Sequence, residues 1–405
     1  MAHLSPFRAL RPAPSVASRV ASVPYDVVST AEARALAADN PLSFLRVTRS
    51  EIDLPEGADP YDPAVYTLAA KNLHALEAGA PLVEDGAPTL YFYRQQMGEH
   101  IQTGLAGCFS VDEYERDLIK KHEKTRPDKE DDRTRHIIGV RAQTGVVFLT
   151  YRAVEAVDAI ATRVCTGDPL YDFAAPDGIR HTVWTVPAND VANLVALFAG
   201  IPALYIADGH HRAASAMRAR AALRDRGEST ADADTFIAVA FPDRQLTILP
   251  YHRIVKDLNN HSVESFLDAL RSRLPVRSGG AVPASPNEVS MFVGGQWHVI
   301  TLPASPAGTS HADSLGVAVL HREVLAPVLG IGDIRTDKRI DFVGGARGIG
   351  ALESAVTEGR AAVAFSMYPV SVDDLLTVSD AGDIMPPKST WFEPKLRDGL
   401  LVHRI

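Results

Sequence analysis

Apolar positions along this chain switch repeatedly between a spacing near 3.6 and a spacing near 2. That is the pattern expected when helices and strands are interleaved. Pro6, Pro12, Pro14 and Pro24 interrupt the opening, which reads as loop. Ser29-Thr30-Ala31-Glu32 has the form of a capping box and predicts an alanine-rich helix that stops before Pro41. Asp62-Pro63 predicts a second helix start, with Val65, Leu68, Leu73 and Leu76 as its apolar face and Gly79-Ala80-Pro81 as its stop. Strands are expected over 89–94 and 101–111, joined by a loop at Met97-Gly98, and again over 146–152. Between them lies a highly charged segment, 112–136.

Beyond residue 150 the patterns predict helices over 154–164, 190–199, 210–224 and 263–274, and strands over 182–186, 203–207, 235–241 and 246–249. Residues 279–286, rich in Gly, Pro, Ser and Ala, have linker character. A hairpin is expected from 289–293 and 297–302 around Gly294-Gly295. Helical patterns follow over 318–329 and 351–357, with a strand over 361–367. No repeat of fixed period is visible. The expected fold class is mixed, α/β or α+β, with a main domain over 1–275 and a smaller α+β domain over 276–405.

Composition narrows the function. The 405 residues are 46% hydrophobic, enough to offset the ordering entropy of folding. Lys and Arg total 41 against 50 Asp and Glu, a formal charge of −9 that argues against nucleic acid as the main partner while leaving room for a local phosphate site. No apolar run approaches the ~20 residues needed to span a bilayer, and the first residues lack the apolar stretch of a signal peptide, so no membrane association and a cytoplasmic address are expected. Cys108 and Cys165 are too few for a disulfide framework or a four-cysteine zinc site; they read as two buried small hydrophobes, with a single bridge as the alternative.

The sharpest chemical feature is Leu204-Tyr-Ile-Ala-Asp208-Gly209-His210-His211-Arg212, a short apolar strand running through Asp-Gly into a helix-forming segment. Gly209 permits a tight turn, and the first amides of the helix then form an anion site. His210, His211 and Arg212 add side-chain donors, and Asp208 could orient a histidine or hold Mg²⁺ between phosphates. The plainer alternative is a capped helix start with solvated histidines. Ligation of one metal by adjacent His210 and His211 is disfavoured, because neighbouring side chains diverge on a helix.

A second feature, Lys120-Lys121-His122-Glu123-Lys124-Thr125-Arg126, interleaves basic groups with one carboxylate. It reads either as a solvated charged surface or as a phosphate-contacting segment with Glu123 as general base. Lys388-Ser389-Thr390 resembles the end of a P-loop, but no glycine-rich loop precedes it. Asp341-Phe-Val-Gly344-Gly345-Ala346-Arg347-Gly348-Ile349-Gly350 has the look of a dinucleotide turn; only about 55 residues follow it, too few for a dinucleotide fold, and a glycine-rich turn against a ligand or another strand is expected instead.

With these residues in view, the chain resembles the domain-of-unknown-function family 1015. The resemblance runs end to end and rests on Pro6-Phe7-Arg8-Ala9, Val23-Pro24-Tyr25-Asp26-Val27, Lys121-His122-Glu123-Lys124-Thr125, Asp208-Gly209-His210-His211-Arg212 and Pro387-Lys388-Ser389-Thr390. The Asp-Gly-His-His-Arg turn is also similar to that of ParB/sulfiredoxin-like proteins, among them free serine kinases, in which the turn lies at the nucleotide phosphates and a glutamate in a Pro-His-Glu context activates the serine hydroxyl. Here Lys121 stands where that context has proline. The local resemblance implies a ParB/sulfiredoxin-like core with added α+β elements over 1–275. It further implies phosphorylation of free L-serine from ATP or ADP with Mg²⁺. Glu123, Asp208 and His211 would be catalytic, Gly209, His210, His211, Arg212, Lys120, Lys121, Lys124 and Lys388 would contact phosphate, and Asp208 would hold the metal. A small-molecule substrate and a nucleotide are the implied partners. A non-catalytic ParB-like nucleotide sensor or adaptor is the alternative, and a ParB-like nuclease is disfavoured by the net charge.

Overall fold

A computed structural model of the chain describes residues 2–79 and 82–405. It divides into two compact units, one formed by Met1–Leu246 with Pro394–Ile405, the other by Thr247–Glu393. The expected division at 275/276 falls inside the second unit, between a helix and an edge strand of the same domain. The strands that complete that unit's sheet lie on both sides of the linker-like segment, so its loop composition marks an internal connection.

The first unit is organised on a nine-stranded mixed sheet. In chain order its strands are β1 (Leu4–Ser5), β2 (Tyr91–Met97), β3 (His100–Ser110), β4 (Ile119–Lys120), β5 (Val147–Tyr151), β6 (Tyr171–Ala174), β7 (Arg180–Thr185), β8 (Leu204–Asp208) and β9 (Thr235–Pro242). The spatial order is β4-β8-β5-β9-β3-β2-β7-β6, with β1 on β3. β4 runs parallel to β8 and β5 parallel to β9; the other pairings are antiparallel. β2 and β3 form the expected hairpin at Gly98. The charged segment resolves into β4 and a helix, because Ile119 is apolar enough to be buried at the sheet edge.

The longer helices of this unit are α1 (Thr30–Ala37), α2 (Pro63–Gly79), α3 (Pro127–Val140), α4 (Glu155–Val164), α5 (Ala188–Ala199) and α6 (His210–Asp225). The capping box forms as expected: Glu32 N–H donates to Ser29 Oγ at 3.2 Å and Ser29 N–H to Glu32 Oε2 at 2.8 Å. α2 runs through Gly79; Ala80 and Pro81 of its expected stop lie outside the described residues. Phe92, Phe109, Leu149, Phe198, Ile206 and Ala213 belong to one buried core that joins the sheet to α5 and α6. Cys108 is buried, Cys165 half-buried, and both are free thiols.

The second unit contains β10 (Thr247–Leu249), β11 (Tyr251–Val255), β12 (Val276–Ser278), β13 (Glu288–Val293), β14 (Gln296–Thr301), β15 (Ile340–Gly344), β16 (Val363–Met367) and β17 (Trp391–Glu393). Six of these form an antiparallel sheet in the order β12-β14-β13-β16-β11-β15, and β10 pairs with β17. Its helices include α7 (Val263–Arg271), α8 (Gly350–Thr357) and α9 (Val372–Asp380). The helix expected over 318–329 is broken: an α-turn, Gly316–Leu320, passes into a π-helical turn, His321–Leu325. Two glycines of the dinucleotide-like motif, Gly344 and Gly345, serve packing. A Cβ on Gly344 would lie 2.7 Å from the Trp391 ring, so the bare backbone is what lets β15 approach β17.

Candidate active site

β4 and β8 determine the site. Their parallel pairing sets Leu204 opposite Ile119 and Tyr205 opposite Lys120, so the residues after both strands emerge side by side. One exit is Lys121–Lys124; the other is the Asp208–Arg212 turn. The carboxyl ends of parallel strands are where α/β sheets place ligands. Here they bring together two segments about 85 positions apart.

The turn has the conformation its sequence demands. Gly209 caps α6 with φ at 98°, and a Cβ there would press on the Arg212 guanidinium carbon at 3.0 Å. The first amides of α6 have no acceptor within the helix, which gives this edge the partial positive charge of a helix start. His210 and His122 meet edge to face, ring centroids 4.4 Å apart, and the His122 amide approaches His210 Nε2 at 3.4 Å. His211 Nε2 accepts from the Arg126 amide at 3.0 Å, tying the turn to the start of α3. Donor atoms of His122, Glu123 and His210 lie within 4.8 Å of one another; the two histidines are buried and Glu123 is half-buried.

Burial is the largest influence on these imidazoles. It holds His122 down to about 4 and His210 well below the usual histidine value, reinforced at His210 by His122; His211 is lowered in the same direction.

Asp208 and Arg212 are locked together from behind. Asp208 Oδ2 accepts from Lys395 Nζ at 3.1 Å and from Arg212 Nη2 at 3.3 Å. Burial opposes ionisation of Asp208, but the Lys395 and Arg212 charges more than offset it and hold the carboxyl well below its ordinary range. The Arg212 side chain is only 6% exposed. Its Nη1 donates to the Val146 carbonyl, and Asp26 Oδ2 lies 3.6 Å from Nη2. Burial works against the guanidinium charge, and Asp26, Asp208 and Asp398 overcome it. Behind Arg212, bounded also by Tyr25, Arg133, His136 and Gly145, is a cavity of about 20 Å³, room for roughly one water.

The sequence-derived candidates therefore separate. Glu123, His210, His211, Gly209 and Asp208 gather at the strand ends. Arg212, expected to grip phosphate, donates to Asp208 and to the Val146 carbonyl, while its buried Nε has no hydrogen-bond partner. Lys121 turns away: its Nζ donates to the Tyr114 carbonyl at 2.8 Å and lies 4.3 Å over the Tyr114 ring. Lys120 Nζ lies 5.9 Å over the Tyr205 ring, and Lys124 is exposed. Lys388 belongs to the second unit, at φ 57°, with its carbonyl accepting from Arg253 and its Nζ 5.4 Å from the Tyr251 ring centroid.

Asp208, the expected Mg²⁺ ligand, turns its Oδ2 to two cations, Lys395 and Arg212. Sequence reasoning missed Lys395 and Asp398, whose roles depend on the chain returning to the first unit after Glu393. Nothing local marks them.

The fold is that of a mixed α/β protein with a large mixed sheet. The chain belongs to the family described as protein of unknown function (DUF1015), whose model matches residues 4–322. No curated protein matches the sequence. Three solved structures share distant similarity. A conserved hypothetical protein from Pyrococcus furiosus is 14% identical, covering 73% of this chain and 94% of that one, with a TM-score of 0.36. A free serine kinase in complex with AMP is 11% identical, covering 73% and 91%, at 0.35. SbnI with a C-terminal truncation, from Staphylococcus aureus, is 14% identical, covering 73% and 86%, at 0.40. Among the described residues no helix is long and apolar enough to cross a membrane.

Proposed function

We propose that this chain is a small-molecule phosphotransferase that moves a phosphoryl group from ATP or ADP to the hydroxyl of free L-serine. The observation that carries the reading is the juxtaposition of Glu123 with the start of α6, produced by the β4–β8 pairing. A helix N-terminus opened by glycine is a phosphate site, and a carboxylate beside it is what an alcohol nucleophile requires. The motif resemblance to free serine kinases supports the choice of acceptor.

In this reading the amides at Gly209–His211 hold the terminal phosphates, with the His210 and His211 rings flanking them. The serine oxygen attacks the terminal phosphorus as the bridging P–O bond breaks. The hydroxyl proton passes to the Glu123 carboxylate, and the nucleotide leaves shorter by one phosphate. Lys120 and Lys124 offset the charge of the moving group; Lys121, held at Tyr114, lies outside this set. Asp208, Arg212 and Lys395 position the turn. Mg²⁺, if used, neutralises the nucleotide phosphates. Positioning and charge stabilisation supply most of the acceleration in such transfers.

The test is incubation of the full chain with L-serine, Mg²⁺ and either ATP or ADP, with O-phosphoserine followed by mass spectrometry. Formation of phosphoserine with one nucleotide is the expected result; its absence with both removes the proposal. A non-catalytic nucleotide sensor is the second reading, favoured by the bonds that tie Arg212 to Asp208 and the Val146 carbonyl. It predicts nucleotide binding without any phosphorylated product.

A further inference from the structure

His122 and Glu123 leave β4 at the point where His210 opens α6, and the three donors converge. All three donor atoms lie within 4.8 Å of one another, the two rings stand perpendicular at 4.4 Å, and both histidines are buried. We propose that His122, Glu123 and His210 form a binding site for one divalent first-row transition ion of the Zn²⁺ or Mn²⁺ class.

The donor set decides the class of ion. Two imidazole nitrogens and one carboxylate oxygen suit zinc, iron, manganese or cobalt, whereas Mg²⁺ and Ca²⁺ favour all-oxygen surroundings. Metal–nitrogen and metal–oxygen distances near 2.0–2.2 Å place neighbouring ligands of a tetrahedral ion about 3.3–3.6 Å apart. A group already within 4.8 Å needs only a small closure to reach that geometry. Three protein ligands leave at least one position open, as in sites that take a water or a substrate oxygen. His122 follows the edge strand β4, paired with β8, and His210 is fixed by the Gly209 turn, itself braced by Arg212 and Asp208. This site goes beyond the phosphotransfer reading and shares Glu123 and His210 with it. An ion there takes the carboxylate assigned above as base, so metal-bound and metal-free protein differ in whether that base is available.

The experiment uses the full chain, stripped with a chelator and dialysed, and titrated with Co²⁺ while its visible d–d absorption is recorded. One equivalent should bind, Zn²⁺ should displace it, and millimolar Mg²⁺ should not. Glu123→Gln keeps the side-chain shape and should weaken Co²⁺ binding at least tenfold, as should His210→Ala; His74→Ala, at an exposed histidine, should leave it unchanged. Thermal melts identify any variant that fails to fold, and Glu123→Gln then carries the comparison. Absence of saturable one-equivalent binding, or binding that Glu123→Gln leaves intact, overturns the site. Neither nucleotide nor serine enters this measurement, so its failure is distinct from failure of the phosphotransfer reading.

Discussion

Lys395 Nζ lies 3.1 Å from Asp208 Oδ2, joining residues 187 positions apart within the first unit. Both side chains are largely shielded, at 14% and 28% exposed. The pair anchors the turn that opens α6, and with Arg212 it sets the direction of the helix start.

Replacing that ammonium with an apolar chain of similar length tests the anchor. Lys395→Met should lower the stability of the chain to urea by about 1–3 kcal/mol, the range for a charge-assisted hydrogen bond that is partly shielded. Asp208→Asn should cost less in the Lys395→Met background than alone, because the two act through one contact. Equal costs in both backgrounds would show that the pair does not couple.

The fold was readable wherever local pattern decides it. The capping box at Ser29, the β2–β3 hairpin, β8, β9 and α6 all follow from periodicity and turn residues. α9 was not among the expected helices, although Ser371 and Asp374 form a capping box at its start. β4 escaped because two residues in a charged run give no alternation to detect. The site was legible in its residue types: the Asp-Gly-His-His-Arg turn and Glu123 both stand at the strand ends. Their contact was not, since it arises from parallel pairing across a long connection, and neither were Lys395 and Asp398, which come from the other end of the chain. The surroundings of Arg212 were not legible for a related reason. Only the fold shows that Asp26, Asp208 and the Val146 carbonyl already surround it.

Gly209 should tolerate no side chain. Its φ of 98° is left-handed, and a Cβ meets Arg212 at 3.0 Å. Gly209→Ala should cost about 1–2 kcal/mol from backbone strain alone, and more once Arg212 shifts. Nucleotide affinity, read by calorimetry, should fall with it. A variant with unchanged stability and affinity would remove the turn from the site.

Asp398 predicts a pH dependence. Burial is the main cause that pushes its carboxyl up to about 7, with Arg212 pulling it back and Asp26 adding repulsion. The ordinary aspartate value is near 3.9, so between about pH 4 and 7 the folded state holds a proton that the unfolded state has lost. Stability from this group is therefore present at low pH and falls as pH rises to 7, by an amount on the order of 2–4 kcal/mol. Asp398→Asn should gain on the wild type steadily across that window in urea unfolding measured at several pH values. Parallel curves for the two proteins would contradict the assignment.

The phosphotransfer account rests most directly on one rate: formation of O-phosphoserine by Glu123→Gln at saturating nucleotide and serine, relative to the wild type. The account predicts a fall of roughly 10²–10⁴-fold, the usual contribution of a general base, with nucleotide affinity retained. Equal turnover by the two proteins would contradict it.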